Sequence, residues 1–422
     1  MASIRRTYKY RLYDSKHNKH LEHAINVAGM IRNHVIALQR RYYKLTGKYV
    51  SLAQMQGHIG KLRMGRVSTN KKLGRKGRSY GKRYIYWQAM SAQAAQEICE
   101  RVDKGYQKFF KNQKLPSNQR KKVSPPQFKK VKKYTSFTLK TDSWKLLESY
   151  RGSRTGSPKI KNERRTGKVK IMKRIYKFVW TRPIMGKIKT VTIKRDKTGK
   201  LWICFSVEEE ISIKSQTSSG KIGGFDFGLK HFLTNEDGNC INSPQFYRQM
   251  HKQLAQLHRN LSKKRKGSNN WYRAKLDLAR AYQRLDNLRT NHHWQLAHEL
   301  CDKYDGLVFE TLNIKAMQKL WGRKISDLGF SEFLKIVEHV AYKRGVAFKQ
   351  IDQWTATSKT CSHCGARFEN LSLADRWVEC QCGLSCDRDH NAARNIHKVG
   401  TSTFGLVDVR QTEVYALPAI HV

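Results

Sequence analysis

Acidic residues are scarce in this chain. Its 422 residues include 32 Asp and Glu against 84 Lys and Arg, giving a formal net charge of +52. Self-repulsion of that size opposes a compact fold unless a polyanion neutralises it. Nucleic acid is therefore the expected partner. Long apolar runs are also missing: no 18-residue apolar stretch occurs, and the opening "MASIRRTYKYRLYDSK" lacks the apolar core of a secretory signal. With no lipid-anchor motif and no strong amphipathic helix, a membrane surface does not explain the charge. No fixed-period repeat is present. The expectation is a soluble, intracellular protein without a membrane partner. Hydrophobic residues make up 39% and aromatics 10%, which argues against a disordered basic tail, and the length accommodates two or three subdomains.

Residues 4–13 alternate apolar or aromatic with basic residues, as a half-buried strand does. Helical spacing takes over from about Lys19 to Leu45 and again over 86–111, where Ala92, Ala95, Ile98, Val102 and Tyr106 share a face. Between them, residues 61–83 are Gly-rich and heavily basic and read as a loop ordered by phosphate. Lys71, Lys72, Arg75, Lys76 and Arg78 are its expected contacts. Residues 112–170 read as basic and broken. "GKIKTVTIKRD" and "KLWICFSVEEE" then form a strand pair around a "DKTG" turn, and the Ser-rich stretch 211–221 reads as a linker. Beyond it, strands alternate with helices, which indicates an α/β domain.

Three of the few acids stand in apolar surroundings. In "KIGGFDFGL" the period of two puts Phe225 and Phe227 on one strand face and Asp226 on the other with Gly224 and Gly228. Those glycines are expected to leave room for a sugar-phosphate backbone beside the carboxylate. Glu310 ends the apolar strand of "DGLVFETLNI", on the face of Val308, at the strand end where α/β sheets bind ligands. Asp389 in "CDRDHNAARNI" opens a helical stripe with Ala392, Ala393 and Ile396, whereas Asp387 is offset and suits a helix cap. Singly, each also reads as a turn, strand-end or capping acid. Jointly, crowded carboxylates call for hard cations between them, and two Mg²⁺ ions bridged by acids serve phosphodiester cleavage. Asp226 is then a metal ligand.

Four of the nine cysteines, Cys99, Cys204, Cys240 and Cys301, are scattered and read as ordinary buried thiols. The other five crowd together. Cys361-x2-Cys364 and Cys380-x-Cys382 suit a structural Zn²⁺ site, with Cys386 able to replace either member of the irregular second pair. His363, between ligands, reads as exposed.

"GFDFGLK", "FETLNI", "TSKTCSHCG" and "CGLSCDRDHNAARNI", in that order, resemble the RuvC-like nuclease half of TnpB proteins, transposon-encoded RNA-guided DNA endonucleases related to miniature type V CRISPR effectors. The resemblance is sharp over about 215–400. It implies an α/β plus β fold in which 1–18 and 112–212 form a wedge-type β-barrel and 19–111 a helical recognition insert. Residues 213–354 and 387–422 would form the RuvC-like (RNase H fold) nuclease domain, and 355–386 a zinc-binding, target-nucleic-acid subdomain. It further implies catalytic roles for Asp226, Glu310 and Asp389, zinc on the cysteine cluster, a guide RNA, double-stranded target DNA beside a short flanking motif, and a prokaryotic cytoplasmic, nucleoid-associated location. The family spaces its second cysteine pair by two residues, so here Glu379 takes the third ligand's place and Cys380 is shifted by one. Two alternatives remain: a CRISPR effector with a CRISPR-derived guide, and a guide-dependent DNA-binding regulator that does not cleave. A regulator of that kind would have lost at least one acid, and all three are present.

Overall fold

A computed structural model of the chain describes residues 2–64, 84–147, 166–211, 220–372 and 375–404. The five basic residues expected to contact phosphate, Lys71, Lys72, Arg75, Lys76 and Arg78, lie outside the described residues, as does most of the 211–221 linker. Two compact units divide the chain at residues 210 and 211.

The N-terminal unit contains β1 (Ala2–Arg11), α1 (Asn18–Thr46), α2 (Leu52–Met64), α3 (Ala92–Gln113), β2 (Ser136–Leu139), β3 (Trp144–Leu146), β4 (Thr166–Ile171), β5 (Arg174–Val179), β6 (Lys187–Arg195) and β7 (Leu201–Ile211). Helix α1 stops where Gly47 takes a left-handed φ of 68°, and α3 starts where the Ser91 hydroxyl accepts the Ala94 N–H. The expected "DKTG" turn joins β6 to β7, with Asp196 Oδ1 accepting from the Thr198 and Lys200 N–H groups. Strands order as β1-β7-β6-β2 and β3-β4-β5, and both sheets share one core with the helices, built around Tyr10, Phe137, Phe178, Phe205 and Trp87.

A closed barrel is not formed among the described residues, which corrects that expectation. The two sheets join through a bridge between Leu12 and Phe178, while β2 and β3 stand at free edges. Each is a short edge strand already paired on one side, β2 with β6 and β3 with β4, and no ladder joins the two.

The C-terminal unit holds β8 (Ile222–Asp226), β9 (Leu233–Asn235), β10 (Cys240–Ile241), α4 (Phe246–Ser262), α5 (Asn269–Lys303), β11 (Gly306–Phe309), α6 (Ile314–Leu328), α7 (Phe330–Arg344), β12 (Ala347–Gln350), β13 (Trp377–Glu379), β14 (Ser385–Asp387) and α8 (Arg388–Phe404). Its main sheet runs β10-β9-β8-β11-β12, with β8, β11 and β12 parallel and the two hairpin strands antiparallel. Phe225, Leu307 and Phe309 face one side and pack with Leu296 and Leu300 of α5 and Phe333 and Val337 of α7. Val308 faces the other side with Ile396 of α8. The chain therefore buries this sheet between helices on both faces, as its near-continuous apolar strands require.

Helix α8 lies very close on β8 and β11. A Cβ on Gly224 would come within 2.5 Å of the His397 backbone nitrogen, and one on Gly400 within 2.3 Å of Val308. The space above Gly224 therefore belongs to α8, not to a sugar-phosphate backbone, which overturns the expected role of that glycine. Gly228 is similarly closed, by the His231 carbonyl at 2.7 Å and an Asp389 carboxylate oxygen at 3.3 Å. Gly224→Ala is expected to cost about 1–3 kcal/mol of stability by overpacking, read from chemical denaturation, and to lower any activity that depends on Asp389. An unchanged midpoint would mean that α8 has slack over β8.

Candidate functional site

Parallel pairing of β8 with β11 matches Phe225 to Phe309 as its last pair. The next residue on each strand is an acid, Asp226 and Glu310, so two carboxylates stand side by side at the C-terminal ends of neighbouring central strands. The Phe227 N–H donates to Glu310 Oε1 at 3.3 Å and fixes that side chain across the strands. Asp389 joins them from the first turn of α8, where Asp387 Oδ1 accepts the Asp389 N–H at 2.8 Å. Asp387 is thus the capping acid and Asp389 the inward one, as the helical spacing predicts. Ala392, Ala393 and Ile396, on the same stripe, are all at most 1% exposed. Asp226 and Asp389 are each 8% exposed.

Burial and mutual repulsion act on Asp226 and Glu310. Burial first, then the Glu310 and Asp389 charges, hold the Asp226 carboxyl well above the usual range. Burial likewise raises Glu310 to about 7, helped by Asp389 and opposed by the Phe227 N–H and by the hydrogen bond with Asp226. Ionising all three at once needs positive charge in their midst. Two arginines lie near Asp389, with Arg376 Nη1 at 3.8 Å and Arg388 Nε at 3.9 Å from its Oδ1. Neither stands out in the sequence. Arg388 sits inside the acidic motif but is overshadowed there by its two acids, and Arg376 is brought in only by the β13–β14 hairpin, whose Arg376 carbonyl accepts the Arg388 N–H.

The donor set of three carboxylates suits hard divalent cations. Among the described residues, the four-cysteine cluster is the group whose ligand atoms all lie within 4.8 Å of one another.

That cluster consists of Cys361, Cys364, Cys380 and Cys382. Cys361 and Cys382 sulfurs are 3.6 Å apart and those of Cys364 and Cys380 are 3.5 Å apart. Four sulfurs at about 2.3 Å from one tetrahedral Zn²⁺ would be separated by roughly 3.8 Å, so the cluster is close to metal-ready. Cys386 is excluded from it. It lies buried on β14 opposite Val378, and Glu379 stands exposed opposite Ser385. The short Cys380-x-Cys382 spacing works because the chain turns between β13 and β14, with the Gly383 N–H donating to the Cys380 carbonyl and Gly383 at φ 89°. His363 is exposed, as expected. Of the scattered thiols, Cys99, Cys204 and Cys301 are buried, but Cys240 is exposed, because it stands on the two-residue edge strand β10.

Residues 203–320 match the family model OrfB_IS605, described as "Probable transposase", and residues 330–396 match the model "Cas12f1-like, TNB domain". A Streptomyces pristinaespiralis protein named "Putative RNA-guided DNA endonuclease" is 32% identical over 225 residues, covering 52% of this chain and 56% of that protein. A TnpB-like protein of Acanthamoeba polyphaga mimivirus is 30% identical over 244 residues, covering 52% and 45%. The chain thus spans about half the length of the curated relatives it matches. Its fold is shared with the mini-RNA-guided endonuclease CRISPR-Cas phi3, at a TM-score of 0.56 and 10% identity over 94% of this chain and 92% of that one. Among the described residues, no helix is long and apolar enough to cross a membrane.

Proposed function

We propose that this chain, TnpB-like across residues 203–396, is an RNA-guided endonuclease that hydrolyses double-stranded DNA at a RuvC-type site. The observation that carries the proposal is the pair Asp226 and Glu310 at the ends of adjacent parallel strands with Asp389 closing on them from α8. Named relatives support the RNA-guided part, and a formal net charge of +52 supports a nucleic-acid partner.

Asp226, Glu310 and Asp389 would hold divalent cations, in which Mg²⁺ would supply an activated water and stabilise the leaving oxygen. The protein's own residues position and exclude. The Phe227 N–H holds Glu310, the Asp387 cap fixes the start of α8, and the apolar packing of Ala392 and Ile396 keeps Asp389 turned to the sheet. Arg376, half-exposed beside Asp389, offers a guanidinium to a phosphate brought to the acids. Cys361, Cys364, Cys380 and Cys382 would hold a structural Zn²⁺ that fixes the knuckle. In the basic segment, Lys71, Lys72, Arg75, Lys76 and Arg78 would grip phosphate. Neutralising all five is expected to flatten the slope of log affinity against log salt, by about 0.9 for each duplex phosphate that is no longer neutralised.

Sequencing the RNA that copurifies with the full chain tests the proposal. One dominant RNA species, and binding of a duplex complementary to it at least ten times tighter than an unmatched duplex, is the expected result. RNA of random sequence with no matched-duplex preference would overturn the guided reading. A dominant RNA that maps to a CRISPR array would instead assign the alternative guide source.

A further inference from the structure

Beside α8, on the side of the β9–β10 turn, lies a cavity of about 320 Å³ lined by Glu236, Ser362, His363, Arg394, His397 and Lys398. Ser362 is 4% exposed, yet its hydroxyl oxygen has no hydrogen-bond partner. A buried, unanswered hydroxyl costs about 1–3 kcal/mol, a cost that an acceptor in the adjoining cavity would remove once the side chain turned toward it. Its position is fixed on both sides: the Ser362 N–H donates to Asn391 Oδ1 at 2.8 Å, and the Lys398 ammonium donates to the Ser362 carbonyl. That lysine bond uses one of three ammonium donors. Arg394, His397 and Lys398 follow at i, i+3 and i+4, one helical face.

The chemistry selects an anion over a cation. Glu236, His363 and His397 include metal-ligating types, but their ligand atoms do not close within 4.8 Å of one another. Glu236 also turns its carboxylate to β8, where Oε2 accepts the Gly224 N–H at 3.0 Å. Against that one acid stand two permanent cations, two imidazoles and the orphan hydroxyl. The donor set fits a tetrahedral oxyanion, which the cavity admits with room to spare.

We infer that this cavity between the cysteine knuckle and α8 binds one backbone phosphate of the DNA strand that the site cleaves, and so sets how far the scissile phosphate stands from the acids. The inference rests on the nuclease reading for its substrate. Arg394 to Lys398 lie about 7–14 Å along the helix axis from Asp389 at 1.5 Å per residue, and Lys398 about half a turn around the helix from it, so the phosphate held here is one on a strand that has left the acids and wraps the helix.

The test uses the full chain with its copurified RNA and matched DNA in which one phosphate at a time is replaced by a neutral methylphosphonate. In the wild type, one linkage close to the cut is expected to cost about tenfold in affinity. In Arg394→Gln/Lys398→Gln, that linkage alone becomes insensitive, and the salt slope falls by about 0.7 for each single-strand phosphate that is no longer neutralised. Both side chains are exposed, so the core is untouched, and Arg394→Gln alone, which leaves the Lys398 bond to the Ser362 carbonyl in place, should show a smaller loss at the same linkage. Ser362→Ala should weaken binding several-fold while thermal stability stays level or rises, because the unpaired hydroxyl is gone. A fall in stability with unchanged binding would make Ser362 merely structural and overturn the inference. A flat scan with wild-type cleavage intact would also overturn it without touching the nuclease reading, as would a sensitive linkage found only in the RNA. Competition by millimolar inorganic phosphate with a flat DNA scan would assign the cavity to free phosphate instead. If the sensitive linkage appears but no DNA is cut, the cavity keeps its phosphate, while its role in placing the scissile phosphate falls together with the nuclease reading.

Discussion

Alanine at Asp226, Glu310 or Asp389 is expected to slow cleavage of guide-matched DNA about 10³-fold, the equivalent of roughly 4 kcal/mol of transition-state stabilisation. Guide-dependent binding should change little, because the lost groups repel phosphate. Two of these acids, Glu310 and Asp226, have the opposite effect on the cation-free fold. Glu310 is raised to about 7 from an ordinary value near 4.5. Its contribution to stability is thus fully present below pH ~4.5 and lost as the pH rises through about 7. Asp226 shifts in the same direction. Glu310→Gln should therefore flatten the decline of stability over that window and, at pH 8 without divalent cations, stabilise the protein by about 1–3 kcal/mol. Mg²⁺ should stabilise the wild type more at pH 8 than at pH 5, and Glu310→Gln much less at either. Denaturation across pH, with and without Mg²⁺, checks this. A variant that loses stability at pH 8 in EDTA would show that the carboxylates are not in conflict there.

Serine at Cys361 is expected to remove zinc and to lower cleavage about 10²-fold, although it touches no catalytic acid. The knuckle backbone is tied into the helix that bears Asp389. Asn391 Nδ2 donates to the Thr360 carbonyl at 2.8 Å, Asn395 Nδ2 donates to the Thr357 carbonyl at 2.7 Å, and Asn391 Oδ1 accepts the Ser362 N–H. Freeing the knuckle lets the start of α8 wander, and a misplacement near 1 Å at a reacting group costs on that scale. Cys364→Ser, Cys380→Ser and Cys382→Ser should behave alike. Cys386→Ser should keep zinc near one per chain and cleave at a rate close to wild type, because its thiol packs on β14 away from the cluster. Elemental analysis of the purified variants decides this. Zinc absent from Cys386→Ser and kept in Cys380→Ser would reverse the ligand assignment.

The acids are legible in the sequence because each stands where an apolar pattern leaves an odd residue, and strand and helix periods state which way it points. Their meeting depends on the register of β8 with β11, which no local pattern encodes. The same gap explains Gly224. A glycine beside an acid in a strand signals close approach, but only the packing of α8 says that the approaching backbone is the protein's own. Spacing alone leaves Cys380, Cys382 and Cys386 in competition. The β13–β14 pairing separates them by putting Cys386 in the ladder and the other two at the turn. Helix α6 escapes sequence reading because Gly322 and a non-helical Trp321 at φ −130° interrupt its pattern. The β4–β5 hairpin escapes it in part because its strands carry Lys168, Lys170 and Lys177, which read as another basic loop.

The most direct measurement incubates the purified protein, with its copurified RNA, with duplexes that match or do not match that RNA, in Mg²⁺ or in EDTA. Cuts confined to the matched duplex in Mg²⁺, and absent with Glu310→Gln, are the predicted result. Equal cutting of unmatched DNA, cutting after the RNA is removed, or full activity in EDTA would contradict the account.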